Sequence, residues 1–177
     1  MDHCSSNSPQ SILITGGTRS GKSTYALSLA KHAQHPCFIA TGWATDAEMA
    51  DRIRKHQQER GERWQLIETM TDLTGAIHQA EQDGADFILI DCLTLWTSNI
   101  FLECEQKLPE MTRKLAESVQ HSAIPIALVT NEVGSGIVPD NPLARRYRDA
   151  AGFVNKTIAS AAESLIMMVC GQALRIK

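Results

Sequence analysis

Eight consecutive residues carry the clearest chemistry in the chain. Gly16-Gly17-Thr18-Arg19-Ser20-Gly21-Lys22-Ser23 fits the pattern GxxxxGK[ST]. Glycines let a backbone wrap an anion with its N–H groups pointing inward, and a helix opening behind the loop adds its positive dipole end. In such a loop the lysine, here Lys22, reaches the β- and γ-phosphates, and the next hydroxyl, Ser23, holds Mg2+. The ligand implied is a nucleoside triphosphate. A chance glycine-rich turn is the alternative, but an apolar run over 11–15 precedes the loop and a helical pattern opens at Lys22, which is the context the motif requires. Asp91 ends a second apolar run, 87–90. A carboxylate there holds Mg2+ directly or through water, or else caps a helix opening near Cys92.

A third candidate lies on residues 46–60. Read as a helix at 100° per residue, this stretch gathers Met49, Ile53, His56 and Arg60 within about 60° of one another. The stripe begins apolar and ends in His and Arg, as on a helix that passes from a core to a phosphate-facing site. His56 would then be a base, a phosphate ligand or a nucleophile. The plainer reading is a half-exposed histidine on a solvated face. Arg52, Arg54, Lys55, Arg60 and Arg63 make the segment cationic, with Glu59 and Glu62 offsetting part of it. Further on, 131–139 is glycine-rich and follows a buried run, which fits either a loop over a ligand or a plain turn. Arg145, Arg146 and Arg148 share little more than one helical turn. They read as a solvated or subunit-contacting face, or as a contact to phosphate.

These groups need a scaffold that brings them together. Strands are expected over 11–15, 37–41, 87–91, 124–130 and 165–170, because the runs are continuously apolar, as in strands buried on both faces. Helices are expected over 22–32, 46–60, 73–81, 109–121 and 142–161. The alternation implies an α/β domain with a mainly parallel sheet. A Gly-containing turn at 169–173 before 174–176 implies a closing hairpin, with an antiparallel C-terminal edge strand. Ligands of such sheets bind at the carboxyl ends of the strands, which singles out Gly16–Ser23, Thr41-Gly42, Asp91 and Asn131-Glu132.

Composition narrows the function classes. The 177 residues suit one domain, with 11–177 as a single nucleotide-binding catalytic unit behind a mobile polar tail over 1–10. Those first residues lack the charged-then-apolar order of a secretory leader. Seventeen Lys and Arg against twenty Asp and Glu give a net charge of −3, without a basic stripe, which speaks against a nucleic-acid partner. The five cysteines are scattered and none is at CxxC spacing, so reduced thiols in a cytoplasmic protein are expected rather than a zinc site or a disulfide framework. No apolar run approaches the ~20 residues of a membrane span.

Together the motifs resemble the bifunctional adenosylcobinamide kinase/adenosylcobinamide-phosphate guanylyltransferase family of cobalamin biosynthesis, over nearly the whole chain. The resemblance rests on GGTRSGKS at 16–23, Ile39-Ala40-Thr41, and Asp46-x-Glu48-Met49 leading into Arg52-Ile53-x-x-His56-x-x-x-Arg60. It continues through Trp64 with Glu68, Asp91-Cys92-Leu93-Thr94-Leu95-Trp96 with Asn99, TNEVGSGIVP at 130–139, and Arg146-x-x-Asp149-x-x-Gly152-x-x-Asn155.

The resemblance implies a P-loop NTPase (RecA-like) three-layer fold and two reactions. ATP or GTP phosphorylates the hydroxyl of adenosylcobinamide. GTP then donates GMP to that phosphate through a guanylylated histidine, which matches His56. It implies Lys22 and His56 as catalytic residues. The nucleotide contacts implied are Gly16, Gly17, Thr18, Arg19, Ser20, Gly21, Lys22, Ser23, Ala40, Thr41, Gly42, Gln57, Gln58, Glu59, Arg60, Glu68 and Asp91, with Mg2+ on Ser23 and Asp91. It also implies a homotrimer with the site near a subunit boundary; Trp43 and the 145–148 arginines are candidates for interface or corrinoid-side residues. Two rival readings remain: a small-molecule kinase without the guanylyl step, and a RecA-like ATPase.

Overall fold

The computed structural model describes residues 10–42, 61 and 63–177. One seven-stranded sheet holds them together: β1 (Ser11–Gly16), β2 (Pro36–Ala40), β3 (Gln65–Glu68), β4 (Phe87–Asp91), β5 (Ile126–Val129), β6 (Ser164–Val169) and β7 (Gln172–Arg175). The strand order is β3-β2-β4-β5-β1-β6-β7. All pairings are parallel except β6 with β7, so the expected closing hairpin is present. The helices are α1 (Lys22–Leu29), α2 (Leu73–Gln82), α3 (Leu93–Cys104), α4 (Leu108–His121) and α5 (Pro142–Ala161), with a 3-10 turn, Glu105–Lys107, joining α3 to α4.

Strand side chains alternate between two separate cores. Ile12, Ile14, Phe87 and Leu89 pack against Ala26 and Ala30 of the α1 side. Leu13, Ile88 and Ile90 pack on the opposite face against Leu73, Trp96, Leu115 and Val154, that is, against α2, α3, α4 and α5. This makes three layers, with α1 the only described helix on its face. The α1 face is completed by Trp64, whose ring meets Phe38 and Phe87 edge-on at 6.1 and 6.3 Å.

Two elements differ from the sequence expectation. β3 is an extra strand: in QLIE only Ile67 is buried, so the apolar signal of a central strand is missing from this edge. α3 runs a full twelve residues, where the sequence offered only a helix start near Cys92, as the alternative reading of Asp91. The expected helix at 46–60, and residues 1–9, lie outside the described residues. Gln10, counted above with the tail, is bonded into the domain, its carbonyl accepting the Ile126 N–H and its N–H donating to Glu163.

Candidate active site

β1 is where the sheet grows in both directions: the chain crosses from β1 to β2 on one side and returns to β6 on the other. Such a reversal opens a crevice at the carboxyl ends of the strands, and the glycine-rich loop lies there. Gly16 ends β1 with φ 142°. A side chain there would collide with the Met168 carbonyl of β6 and come within 2.9 Å of Ser20 Oγ, so the loop's start admits glycine alone. On the other side of β1 the Gly16 carbonyl accepts the Glu132 N–H at 3.1 Å. From the hairpin, the Gly171 N–H donates to the Ser20 carbonyl at 3.1 Å. The loop is thus held by β1, the segment after β5 and the β6–β7 turn.

Inside this frame Lys22 is buried, and its ammonium donates to the Gly17 carbonyl at 2.6 Å. Burial lowers its pKa, with Asp91 acting in the opposite direction. A desolvated ammonium curled against its own loop is prepared to exchange a carbonyl for an anion. Helix α1 begins at Lys22 behind Gly21, which has no side chain to cap it, so its first N–H groups face the loop. Gly17, Thr18 and Arg19 are exposed on the rim. Ser23 Oγ donates to Asp91 Oδ2 at 3.3 Å. One hydroxyl and one carboxylate in contact are a set that fits Mg2+ when phosphate oxygens and water complete the shell. No cluster of three or more His, Cys, Asp or Glu able to hold a metal occurs among the described residues. Asp91 is the last residue of β4, and the N-cap of α3 is Cys92, so the alternative reading of Asp91 as the cap is not realised.

The other strand ends line up along the same edge. Ala40 pairs with Asp91 on one side and Glu68 on the other. Thr41 is 1% exposed, and its hydroxyl is spent internally: it donates to the Cys92 carbonyl at 2.8 Å and accepts the Cys92 N–H at 2.9 Å. Any contact from Thr41 and Gly42 to a nucleotide is therefore a backbone contact. Glu68 is exposed at the end of β3, four strand steps from β1, or about 19 Å at the usual inter-strand spacing. Only a ligand lying along the edge reaches both. His56, Gln57, Gln58, Glu59 and Arg60, together with Trp43, lie outside the described residues.

Several motif residues prove to be supports. Trp96 Nε1 donates to the Thr71 carbonyl at 2.7 Å. Asn99 Nδ2 bridges the Thr41 and Met70 carbonyls, both at 3.0 Å, fixing the ends of β2 and β3 together. Arg63 donates to the Ala30 and Ala33 carbonyls at the end of α1, so it is no phosphate ligand here. In the arginine cluster, exposed at Arg145 and Arg146 and half-buried at Arg148, the guanidinium groups are engaged within the chain. Arg145 holds the Pro139 and Asp140 carbonyls, Arg148 holds the Gly134 carbonyl, and Arg146 pairs with Glu105 and lies over Phe101. The Arg145 and Arg148 contacts tie the 131–141 loop to α5, and the Arg146 pair ties α5 to the 3-10 turn, on a face that stays solvated at Arg145 and Arg146 as one sequence reading has it.

Sequence reasoning missed a polar network at the end of β5. Thr130, 1% exposed, donates to Asn155 Oδ1 at 2.7 Å and lies 3.4 Å from Thr94 Oγ1. Asn155 Nδ2 donates to the Asn131 carbonyl, the Asn131 N–H to Thr94 Oγ1, and Tyr147 Oη to the Thr94 carbonyl. The signal was in the sequence as TNE at 130–132 and Asn155, but nothing in their spacing says that they meet.

Comparison with known proteins follows the same lines. The family model for cobinamide kinase / cobinamide phosphate guanyltransferase matches residues 12–176. The bifunctional adenosylcobalamin biosynthesis protein CobU of Escherichia coli is 37% identical, over 94% of this chain and 99% of its own. The CobP protein of Pseudomonas aeruginosa is 38% identical, over 93% and 96%. Among solved structures, a KaiC-like protein of Pyrococcus horikoshii superposes with TM-score 0.56 at 18% identity, over 89% of this chain and 70% of that one. An ATPase of a bacterial type III secretion system does so with TM-score 0.57 at 14% identity, over 89% and 50%. At these identities the structural likeness concerns the fold alone, and it is that of RecA-like P-loop NTPases.

Proposed function

Because the chain belongs to the cobinamide kinase / cobinamide phosphate guanyltransferase family, we propose that both of that family's reactions run at the one strand-end edge that carries Lys22, Ser23 and Asp91. The observation that carries this reading is the joined phosphate loop and Ser23–Asp91 pair, within a match that spans nearly the whole chain. In the first reaction the hydroxyl of adenosylcobinamide attacks the γ-phosphorus of ATP or GTP, and the nucleoside diphosphate leaves. The loop N–H groups, the α1 N-terminus and Lys22 neutralise the phosphate oxygens. Ser23 and Asp91 hold Mg2+, which when bound supplies charge neutralisation at the phosphates.

In the second reaction a neutral imidazole nitrogen of His56 attacks the α-phosphorus of GTP and pyrophosphate leaves. The phosphate of adenosylcobinamide phosphate then takes GMP from the histidine, giving adenosylcobinamide-GDP. Glu68 pairs with the guanine N1–H and N2–H2, at the far end of the edge from the loop. Gln57, Gln58, Glu59 and Arg60 complete the nucleotide contacts. The chain acts in the cytoplasm as a homotrimer. Its free described cysteines, and the lack of a described helix long and apolar enough to cross a membrane, are consistent with this placement.

The test uses GTP labelled at either the α- or the γ-phosphate, followed by denaturation. Acid-labile label from the α-position alone, absent in His56→Ala, is expected. No covalent label from either position removes the guanylyl step and leaves a small-molecule kinase. Hydrolysis stimulated by nucleic acid would favour an ATPase instead.

A further inference from the structure

Three parallel strands deliver a carboxylate to the active edge: Glu68 ends β3, Asp91 ends β4, and Glu132 follows β5. Asp91 is engaged with Ser23. Glu68 stands four strand steps from the phosphate loop. Glu132 is different on both counts, because β5 is the immediate neighbour of β1 and the Glu132 N–H is bonded to the Gly16 carbonyl at the root of the loop.

Its carboxylate is also held in place. Oε1 accepts the Gly134 N–H at 2.6 Å, and the Gly134 carbonyl is gripped by Arg148 of α5. A side chain at position 134 would come within 2.8 Å of that same oxygen, so a Cβ there would displace the carboxylate from this position. The backbone behind it is fixed by the Thr130–Asn155–Asn131 bonds. An acidic residue whose backbone is bonded to the root of the phosphate loop, half-buried and with its carboxylate held on the Gly134 N–H, has been given no task by the binding scheme above.

We propose that Glu132 is the catalytic base of the phosphoryl-transfer step, an inference that rests on the kinase reading of this loop. As the acceptor oxygen bonds to the γ-phosphorus, its proton passes to the Glu132 carboxylate. The bond from the γ-phosphorus to the bridging oxygen breaks, and its electron pair leaves with the nucleoside diphosphate. Glu132 then returns the proton to water, to which its partial exposure gives access. The guanylyl step makes no such demand. There the nucleophiles are a neutral imidazole and an ionised phosphate, neither of which has a hydroxyl proton to remove. Chemistry therefore predicts that Glu132 serves one reaction of the two.

Glu132→Gln tests this in the full chain, because the amide oxygen still accepts the Gly134 N–H while the basic carboxylate is gone. Phosphorylation of cobinamide is measured with γ-labelled GTP. GMP transfer is measured separately with α-labelled GTP and preformed cobinamide phosphate. The expected result is a loss of about 100-fold or more in kcat for phosphorylation. The KM for GTP and the rate of GMP transfer should both stay within about twofold of the parent. Glu132→Asp should recover part of the phosphorylation rate. An unchanged phosphorylation rate, or an equal loss in both reactions, overturns the proposal and leaves Glu132 as a support for the 131–141 loop. Absence of phosphorylation in the parent protein with GMP transfer intact is a separate outcome: it removes the kinase reading and the base with it.

Discussion

Gly16 and Gly17 stand side by side in the phosphate loop, and the structure assigns them opposite tolerances. Gly16 has φ 142°, and a Cβ there meets the Met168 carbonyl and lies 2.9 Å from Ser20 Oγ. The neighbour it meets is backbone in the middle of the β1–β6 ladder, where Gly16 pairs with Met168, so it cannot swing aside. Placing alanine in a backbone conformation reserved for glycine costs about 1–3 kcal/mol. Forcing an extra methyl into a packed site costs a further ~1–3 kcal/mol. Gly16→Ala should therefore lose roughly 2–6 kcal/mol, a large share of the 5–15 kcal/mol that holds a domain of this kind folded. For a chain of this size that is a fall of roughly 5–20 °C in Tm. Gly17 is exposed, and its added Cβ meets nothing within 4 Å. Gly17→Ala should melt within about 2 °C of the parent. Thermal unfolding of the nucleotide-free protein, followed by circular dichroism, decides the matter. Equal melting of the two variants, or a Gly16→Ala protein as stable as the parent, would refute the reasoning.

Other consequences are open to simple measurement. Burial pushes the Cys92 thiol up to about 12 and the Cys37 thiol up to about 11, with neighbouring carboxylates acting in the same direction. Both folded-state values lie above the ordinary thiol value of 9.0, so their contribution is fully present below pH 9 and is lost as pH rises toward 11–12. At most about 1.4 kcal/mol per group is lost for each pH unit. Urea midpoints from pH 8 to 11 should fall, and fall less steeply in Cys92→Ala. Cys170 is exposed and Cys37 buried, so at pH 8 a thiol reagent should label Cys170 in the native protein and reach Cys37 only after unfolding, as peptide mapping would show. Asn155→Ala removes the partner of a Thr130 hydroxyl that is 1% exposed, and should cost about 1–3 kcal/mol in urea unfolding; Asn155→Asp, which keeps the acceptor, should cost less.

The sheet's central strands were legible because their apolar runs are unbroken, and strand-end logic then placed Gly16, Asp91 and Glu132 on one edge. β3 escaped because Leu66 is 43% exposed and the strand has one buried residue, so its pairing with β2 rather than its composition makes it a strand. α3 escaped for the opposite reason. Its residues are apolar on much of the circumference, so no polar face marks its period. The site's positions were easier to read than its supports. Nothing in Thr41, Trp96 or Asn99 says that their polar atoms are spent on backbone groups 25 or more residues away. The arginines at 145–148 carry charge that suggests phosphate, yet Arg145 and Arg148 end on carbonyls of the preceding loop. Charge and spacing reveal which groups are available, whereas only the tertiary fold decides which of them are already satisfied.

Two reactions at one loop make a demand that the phosphates themselves clarify. In phosphoryl transfer the departing group is the nucleoside diphosphate, and charge gathers on an oxygen of the β-phosphate. In the guanylyl step the departing group is pyrophosphate, and charge again gathers on a β-phosphate oxygen. On the proposed shared edge, Lys22, the loop amides and the α1 N-terminus would stabilise the same β-phosphate in both steps, through its β–γ bridging oxygen in one and its α–β bridging oxygen in the other, while the nucleophiles approach from opposite ends of the triphosphate. Lys22→Ala should then reduce both kcat values together, each by about 100-fold or more, with their ratio little changed. His56→Ala and Glu132→Gln should instead shift that ratio in opposite directions. The stability of the nucleotide-free Lys22 variant should hold or rise, since the change removes a buried ammonium whose one neutral strong partner is the Gly17 carbonyl at 2.6 Å. A Lys22→Ala protein that folds and transfers GMP at the parental rate would show that the two reactions bind their triphosphates at different places, and the shared edge would have to be abandoned.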